Sequence, residues 1–116
     1  MNLATRYRGL QLAHPIVAAA SPLTATLDGM RRLEDAGAAA VVMASLYEEQ
    51  IRAEDTAYAL YTEQGSNSQA EAASYFPELV DYNNGVSGHL ETLQRASAAV
   101  DIPVIASLNG TTAEGW

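Results

Sequence analysis

Three serines stand where a short apolar run gives way to a turn. Ser21 follows Ile16-Val-Ala-Ala-Ala20, Ser45 follows Ala39-Ala-Val-Val-Met-Ala44, and Ser107 follows Ile102-Pro-Val-Ile-Ala106. A hydroxyl carries one donor and two acceptor sites, so such a serine either satisfies nearby backbone groups or offers itself to a ligand. Asn109, beside Gly110, reads equally as a member of the same rim or as a turn residue.

Other chemistries find little support. The chain has no cysteine, which removes disulfides, thiolate metal sites and cysteine nucleophiles, and its six basic residues are all arginine, which removes Schiff-base chemistry. His14 precedes a proline and His89 sits near a helix start, and neither has a second ligand at metal spacing, so both are expected to be structural or exposed. Glu48, Glu49, Glu54 and Asp55 fall around a helix rather than along one face, which favours a solvated surface over a cation site. Tyr47, Tyr58, Tyr61, Tyr75 and Tyr82 cluster in one region and read either as an aromatic lid or as ordinary packing. No catalytic residue and no metal ligand is expected in this chain.

Fourteen acids against six arginines give a formal net charge of -8, which repels a nucleic-acid backbone or an anionic membrane. A hydrophobic content of 48% is ordinary globular material. The segment Met1 to Arg8 lacks the apolar run of a signal peptide, and no stretch approaches the roughly 18 apolar residues of a membrane span. The expectation is a soluble, cytoplasmic protein.

The elements that must position the serines follow from periodicity. Leu3 to Leu12 alternates around Arg8-Gly9, predicting an antiparallel hairpin that closes one end of a sheet. Ile16 to Ala20 is a strand buried on both faces, ended by Ser21-Pro22. Leu27, Met30, Leu33 and Ala36 share a helical stripe, with Thr26 as cap and Gly37 beyond the last turn. A second strand, residues 39 to 45, follows so closely that only a parallel return is feasible.

Between Leu46 and Gly85 about forty residues intervene where a minimal unit uses roughly two to six. Glu48 to Gln64 predicts a helix with Ile51, Ala57 or Tyr58, and Tyr61 on one stripe, ended by Gly65. Gly65-Ser-Asn-Ser68 predicts the cap of a short helix through Ala73, which Phe76-Pro77 stops, and Asn83-Asn84-Gly85 a turn. Helical spacing resumes at Leu90, Leu93, Ala96 or Ser97, and Val100, capped by Ser87, and residues 102 to 108 form the third strand. The residues from Asp101 to Trp116 read as strand, turn and the opening of a helix, so the chain is expected to be the front part of a larger protein.

Three βα units suit either a doubly wound sheet or part of an eight-stranded barrel. A dinucleotide fingerprint is missing, because Ala20-Ser-Pro-Leu-Thr24 follows the first strand. Four features taken together resemble the amino-terminal part of the dihydroorotate dehydrogenase family. They are the hairpin before Pro15, the strand ending Ala20-Ser21, the segment Leu33-Glu-Asp-Ala-Gly-Ala-Ala-Ala-Val-Val42, and Ile102-Pro-Val-Ile-Ala-Ser107.

The resemblance implies a partial (β/α)8 barrel, with a hairpin at residues 1–14, about three βα units, and an insertion after the second strand, residues 46–85, at the barrel mouth. Residues 1–116 would form the amino-terminal part of one barrel domain whose later strands, with the catalytic base and phosphate loops, lie outside this chain. It also implies flavin mononucleotide (FMN) as cofactor and an oxidoreductase acting on CH–CH bonds, in the family's setting of pyrimidine metabolism. By match, Ala20, Ser21, Ser45 and Ser107, with Asn109 on the rim, take the flavin-lining places. Small residues at strand ends let backbone approach a flat ring, and hydroxyls can bond its heteroatoms.

Two departures separate the chain from the family. The lysine that precedes the matched serine in the family is Ala44 here, and the family's substrate-gripping Asn-Ser/Ala-Met-Gly-Leu loop is replaced by Tyr75-Phe76-Pro77-Glu78. The flavin is expected, then, and dihydroorotate as substrate is not assured. The alternative is a non-catalytic partial barrel that acts as a binding or assembly module and self-associates through the open edge of the third strand.

Overall fold

The computed structural model describes residues 1–67 and 85–116. In chain order the elements are strands β1 (Thr5–Tyr7) and β2 (Leu10–Leu12), a 3-10 turn (Pro22–Thr24), helix α1 (Leu27–Asp35), strands β3 (Val41–Val42) and β4 (Leu46–Tyr47), helices α2 (Glu48–Asn67) and α3 (Val86–Ala99), and strands β5 (Val104–Ile105) and β6 (Leu108–Asn109). Among the described residues they make a small mixed α/β protein of three helices and short strands. Two compact units divide it: Met1–Ser45 with Leu90–Leu108, and Leu46–His89 with Asn109–Trp116. No helix among the described residues is long and apolar enough to cross a membrane.

The first unit begins with the expected hairpin, pairing Thr5 with Leu12 and Tyr7 with Leu10. Its turn places Arg8 at φ 46° and Gly9 at φ 86°, the twist that joins two strands through two residues, and glycine reaches it without a Cβ penalty. Three further segments then run parallel in chain order. The N–H groups of Ala18 and Val42 bond the C=O groups of Ala40 and Ala18, and those of Val41 and Met43 bond Pro103 and Ile105, so β3 is flanked by the Ala18 segment and by β5. The three strands predicted from apolar runs are therefore present as hydrogen-bonded neighbours, with only their centres regular enough to count as strand, and Leu108, expected to end the third, belongs instead to β6.

Helix α1 connects the first of these segments to the second. The Thr26 hydroxyl accepts from Gly29 N–H at 3.1 Å, and Gly37 at φ 96° ends the helix, its N–H reaching Glu34 C=O while Ala38 N–H reaches Leu33 C=O. Met30 is fully buried with Val41, Met43 and Ala96, and Leu27, Leu33, Leu93, Ile102 and Val104 pack around them. Ala36, expected on the stripe, is exposed because it is the C-cap rather than a helical position. Leu12, Ala39 and Ala40 form a second cluster with Leu10 and Val17, so the hairpin packs on the alanines that open the second parallel segment.

Strand β4 is paired with β6, and in the second unit α2 starts directly after β4. Two expectations are corrected here. Helix α2 runs through Gly65 to Asn67, so Gly65 does not end it and Gly65–Asn67 do not cap a new helix. The reason is that one glycine inside a helix costs only about 1 kcal/mol, which the continuing hydrogen-bond ladder tolerates. The stripe of Ala57, Tyr58 and Tyr61 is exposed, and only Ile51 is half-buried. Expectations for Ala73, Tyr75, Phe76-Pro77, Tyr82 and Asn83-Asn84 lie outside the described residues. Helix α3 begins at Val86, one residue before its expected cap Ser87.

Candidate functional site

At the carboxyl ends of the three parallel segments the chain ties neighbouring ends together. After the first segment the 3-10 turn folds back on itself: Ser21 N–H donates to Thr24 Oγ1 at 3.0 Å, and that hydroxyl donates to Ser21 C=O at 2.9 Å. Thr24 is fully buried, and its C=O accepts from Ala44 N–H at 3.3 Å, joining the first end to the second. Gly29 makes this approach feasible, because a Cβ there would collide with Leu23 C=O.

The second end is joined to the third by side chains. Val41 N–H meets Pro103 C=O, Met43 N–H meets Ile105 C=O, and at the same offset along the two segments the Ser45 and Ser107 hydroxyls lie 2.7 Å apart. Both serines are half-buried, whereas Ala20 and Ala106 are exposed. A pair of hydroxyls uses one hydrogen between them, so the other hydrogen and several lone pairs remain to face a ligand. Of the residues singled out by sequence, Ser45 and Ser107 are in direct contact, and Ser21 reaches the second segment only through Thr24 and Ala44. Asn109 is exposed in β6 and belongs to the second unit.

The start of the third segment is held from the other side. Glu34 on α1 accepts from the N–H groups of Asp101 at 2.7 Å and Ile102 at 3.3 Å through one oxygen, Oε1. His14 takes the structural role expected of it: its Nδ1 accepts from Ile16 N–H at 3.2 Å, so its Nε2 carries the hydrogen and donates to Gly37 C=O at 2.7 Å. His89 is half-buried, with Nε2 unpartnered among the described residues. Among the described residues no group of three histidines or acids is placed to hold a metal ion.

Sequence reasoning missed one residue of the second unit. Glu48 was expected on a solvated face, yet it is only 7% exposed. Its Oε2 accepts from Thr111 N–H at 2.6 Å, Thr111 Oγ1 at 3.0 Å and Thr112 N–H at 2.9 Å, and its Oε1 accepts from Thr112 Oγ1 at 2.7 Å and pairs with Arg52 at 2.6 Å. The Thr112 hydroxyl above all, then the two backbone N–H groups, hold its pKa down at about 2. Gly115 lies so close that a Cβ would strike the carboxylate. The available signal was the pattern Asn109-Gly-Thr-Thr112, a turn rich in hydroxyls and free N–H groups that calls for an anion.

Comparison with protein-family models, with curated proteins and with solved structures gives no match.

Proposed function

We propose that this chain is the amino-terminal portion of a dihydroorotate dehydrogenase-like, FMN-dependent oxidoreductase and that it supplies part of the flavin-binding wall. The observation that carries this reading is the Ser45 and Ser107 hydroxyl pair at the carboxyl ends of two parallel strands, the edge where (β/α) barrels gather their chemistry. The parallel order of the three segments, with α1 forming the first crossover, supports this reading because an opening barrel arc has the same order.

The residues present fit a flavin in kind. Ser45 and Ser107 offer a donor and acceptors together, and the residues preceding Ser21 and Ser107, Ala20 and Ala106, are small and exposed. FMN supplies hydride and electron transfer when bound. The chain's own residues would hold it: the Ser45 and Ser107 hydroxyls would hydrogen-bond it, with Ala20 and Ser21 lining it from the first strand end, and Asn109, in the second unit, is proposed as a further flavin contact from its place in the sequence alone. None of them moves a proton to or from substrate, and Ala44 brings no charge to the ring, so the base and the substrate specificity belong to other parts of the protein. The substrate is a small molecule, and dihydroorotate is not assured as its identity.

The test is flavin content. The longer protein of which this chain forms the amino-terminal part is expected to purify yellow and to release FMN on denaturation, and a colourless preparation that takes up no added FMN would reject the reading.

One observation favours a second reading, a binding or assembly module. Strand β5 is paired only with β3 among the described residues, which leaves a backbone edge able to accept another chain. Sedimentation equilibrium on the 116-residue chain decides it: a concentration-dependent dimer supports the module, and a monomer removes it.

A further inference from the structure

We propose that Glu34 is the positioning residue of the serine pair: by anchoring the entry to the third parallel segment, it sets the register that brings Ser107, rather than Ala106 or Leu108, to Ser45. The pair is taken as part of the flavin wall, so the inference rests on the reading given above. Every residue it uses belongs to the first unit.

The need for an anchor lies in the segment itself. Ile102-Pro-Val-Ile-Ala106 is an unbroken apolar run, and its strand residues Val104 and Ile105 are both half-buried. Where apolar and polar residues alternate, a slip by one residue would carry apolar side chains into water, and register is fixed. A run with two similar faces loses little by slipping. Pro103 weakens the ladder further, since it accepts from Val41 N–H but has no N–H to return.

Glu34 supplies what the ladder lacks, and from an unfavourable place. It stands in the last turn of α1, where the negative end of the helix dipole opposes a carboxylate. Two charge-assisted bonds offset this, since Oε1 accepts from the N–H groups of Asp101 at 2.7 Å and Ile102 at 3.3 Å. The C=O of the same residue accepts from Gly37 N–H at 2.8 Å, where the chain turns from α1 toward β3. Glu34 therefore holds the start of the second segment with its backbone and the start of the third with its side chain.

The residues on either side make this anchor selective for one register. A slip in one direction would present Ile102 and Pro103 to the carboxylate, and proline has no N–H. A slip in the other would present Val100, whose N–H is already bonded to Ala96 C=O. The first slip would bring Leu108 to Ser45 and the second Ala106, and either would take one of the two hydroxyls from the wall.

Residues 1–116 contain no cysteine, which makes the register readable by crosslinking. The Ser45 and Ser107 hydroxyl oxygens are close enough that two sulfurs in their place can bond. Ser45→Cys is combined in turn with Ser107→Cys, Ala106→Cys and Leu108→Cys in the full-length protein, with Glu34 native or carrying Glu34→Ala, Glu34→Asp or Glu34→Gln. After mild thiol oxidation, mass spectrometry of the linked peptides gives the ratio of the 45–107 crosslink to the 45–106 and 45–108 crosslinks. FMN dissociation constants are measured on the Glu34 variants with both serines intact.

Expected for Glu34→Ala is a ratio lowered about tenfold, the scale of one lost bond to a charged group, and an FMN dissociation constant raised about fivefold, the scale of one lost neutral bond. Glu34→Asp, whose carboxylate stops one methylene short, is expected to shift both in the same direction and serves if Glu34→Ala does not fold. Glu34→Gln keeps an acceptor oxygen and is expected to match the wild type. A ratio unchanged in Glu34→Ala and Glu34→Asp would overturn the register role, and a changed ratio with unaltered FMN affinity would overturn the positioning of the site; each leaves the flavin reading standing. A wild-type protein that binds no FMN would remove the flavin reading, and the positioning role with it.

Discussion

The hydroxyl oxygens of Ser45 and Ser107 lie 2.7 Å apart although 62 residues separate them in the chain. Their meeting continues the parallel pairing of β3 with β5 by one more step, from backbone into side chain, at the place where the strands stop being strands. The contact fixes the spacing of two strand ends without occupying all of either hydroxyl. That combination, held yet not used up, makes the pair the centre of the candidate site.

Removing one hydroxyl leaves the other half-buried without its partner. Ser45→Ala and Ser107→Ala are each expected to lower stability by about 1 kcal/mol, and the double variant by less than the sum, with a coupling energy on the order of 0.5–1 kcal/mol. Urea denaturation of the four proteins measures it, and strict additivity would mean that the two hydroxyls do not bond in solution.

Glu48 makes acid stability a direct readout of its hydrogen bonds. Its folded pKa is lowered from an ordinary 4.5 to about 2, so its contribution is fully present above pH 4.5 and is lost as the pH falls toward 2. The wild-type melting temperature is therefore expected to drop more steeply than that of Glu48→Gln between pH 4.5 and 2, and the two curves to converge at the acid end. Parallel curves would show that the carboxylate gains nothing from folding.

Gly29 is expected to reverse the usual helix rule. Replacing an internal helix glycine by alanine gains up to about 1 kcal/mol from propensity alone. Here the added methyl would meet the Leu23 carbonyl, which is backbone and cannot rotate aside. Gly29→Ala should therefore destabilise, by on the order of 1–3 kcal/mol as overpacking does, and thermal melting checks the sign.

His14 joins the segment before the first parallel strand to the end of α1 through Ile16 and Gly37. Its replacement by alanine removes two hydrogen bonds at once. A loss of about 1–2 kcal/mol is expected, with faster amide exchange at Ile16 while Leu12 keeps its protection.

What the sequence made legible follows from how local each signal is. The hairpin at Arg8-Gly9, the cap at Thr26, the stop at Gly37 and the burial of Met30 each depend on a few neighbouring residues, and each was readable. The 3-10 turn at Pro22–Thr24 was not, because its stability comes from Thr24 bonding both to Ser21 and to the distant Ala44. Glu48 escaped for the same reason: helical spacing places it among solvated acids, and only the return of Thr111 and Thr112 from far along the chain gives it partners. The serine positions were legible as strand ends, but the Ser45–Ser107 bond depends on a register that no local pattern carries.

The pairing of Val41 with Val104 encloses the whole stretch from β4 to the end of α3, and this has a consequence for how freely that stretch can vary. The entropy of closing a chain segment rises only with the logarithm of its length, so even doubling the enclosed stretch would cost about 0.6 kcal/mol. The parallel strands, with Glu34 bonded to Asp101 and Ile102, are thus insulated from the length of what they enclose. Insertions and deletions there can therefore change the enclosed stretch while the strand register, and with it the serine pair, stays where it is.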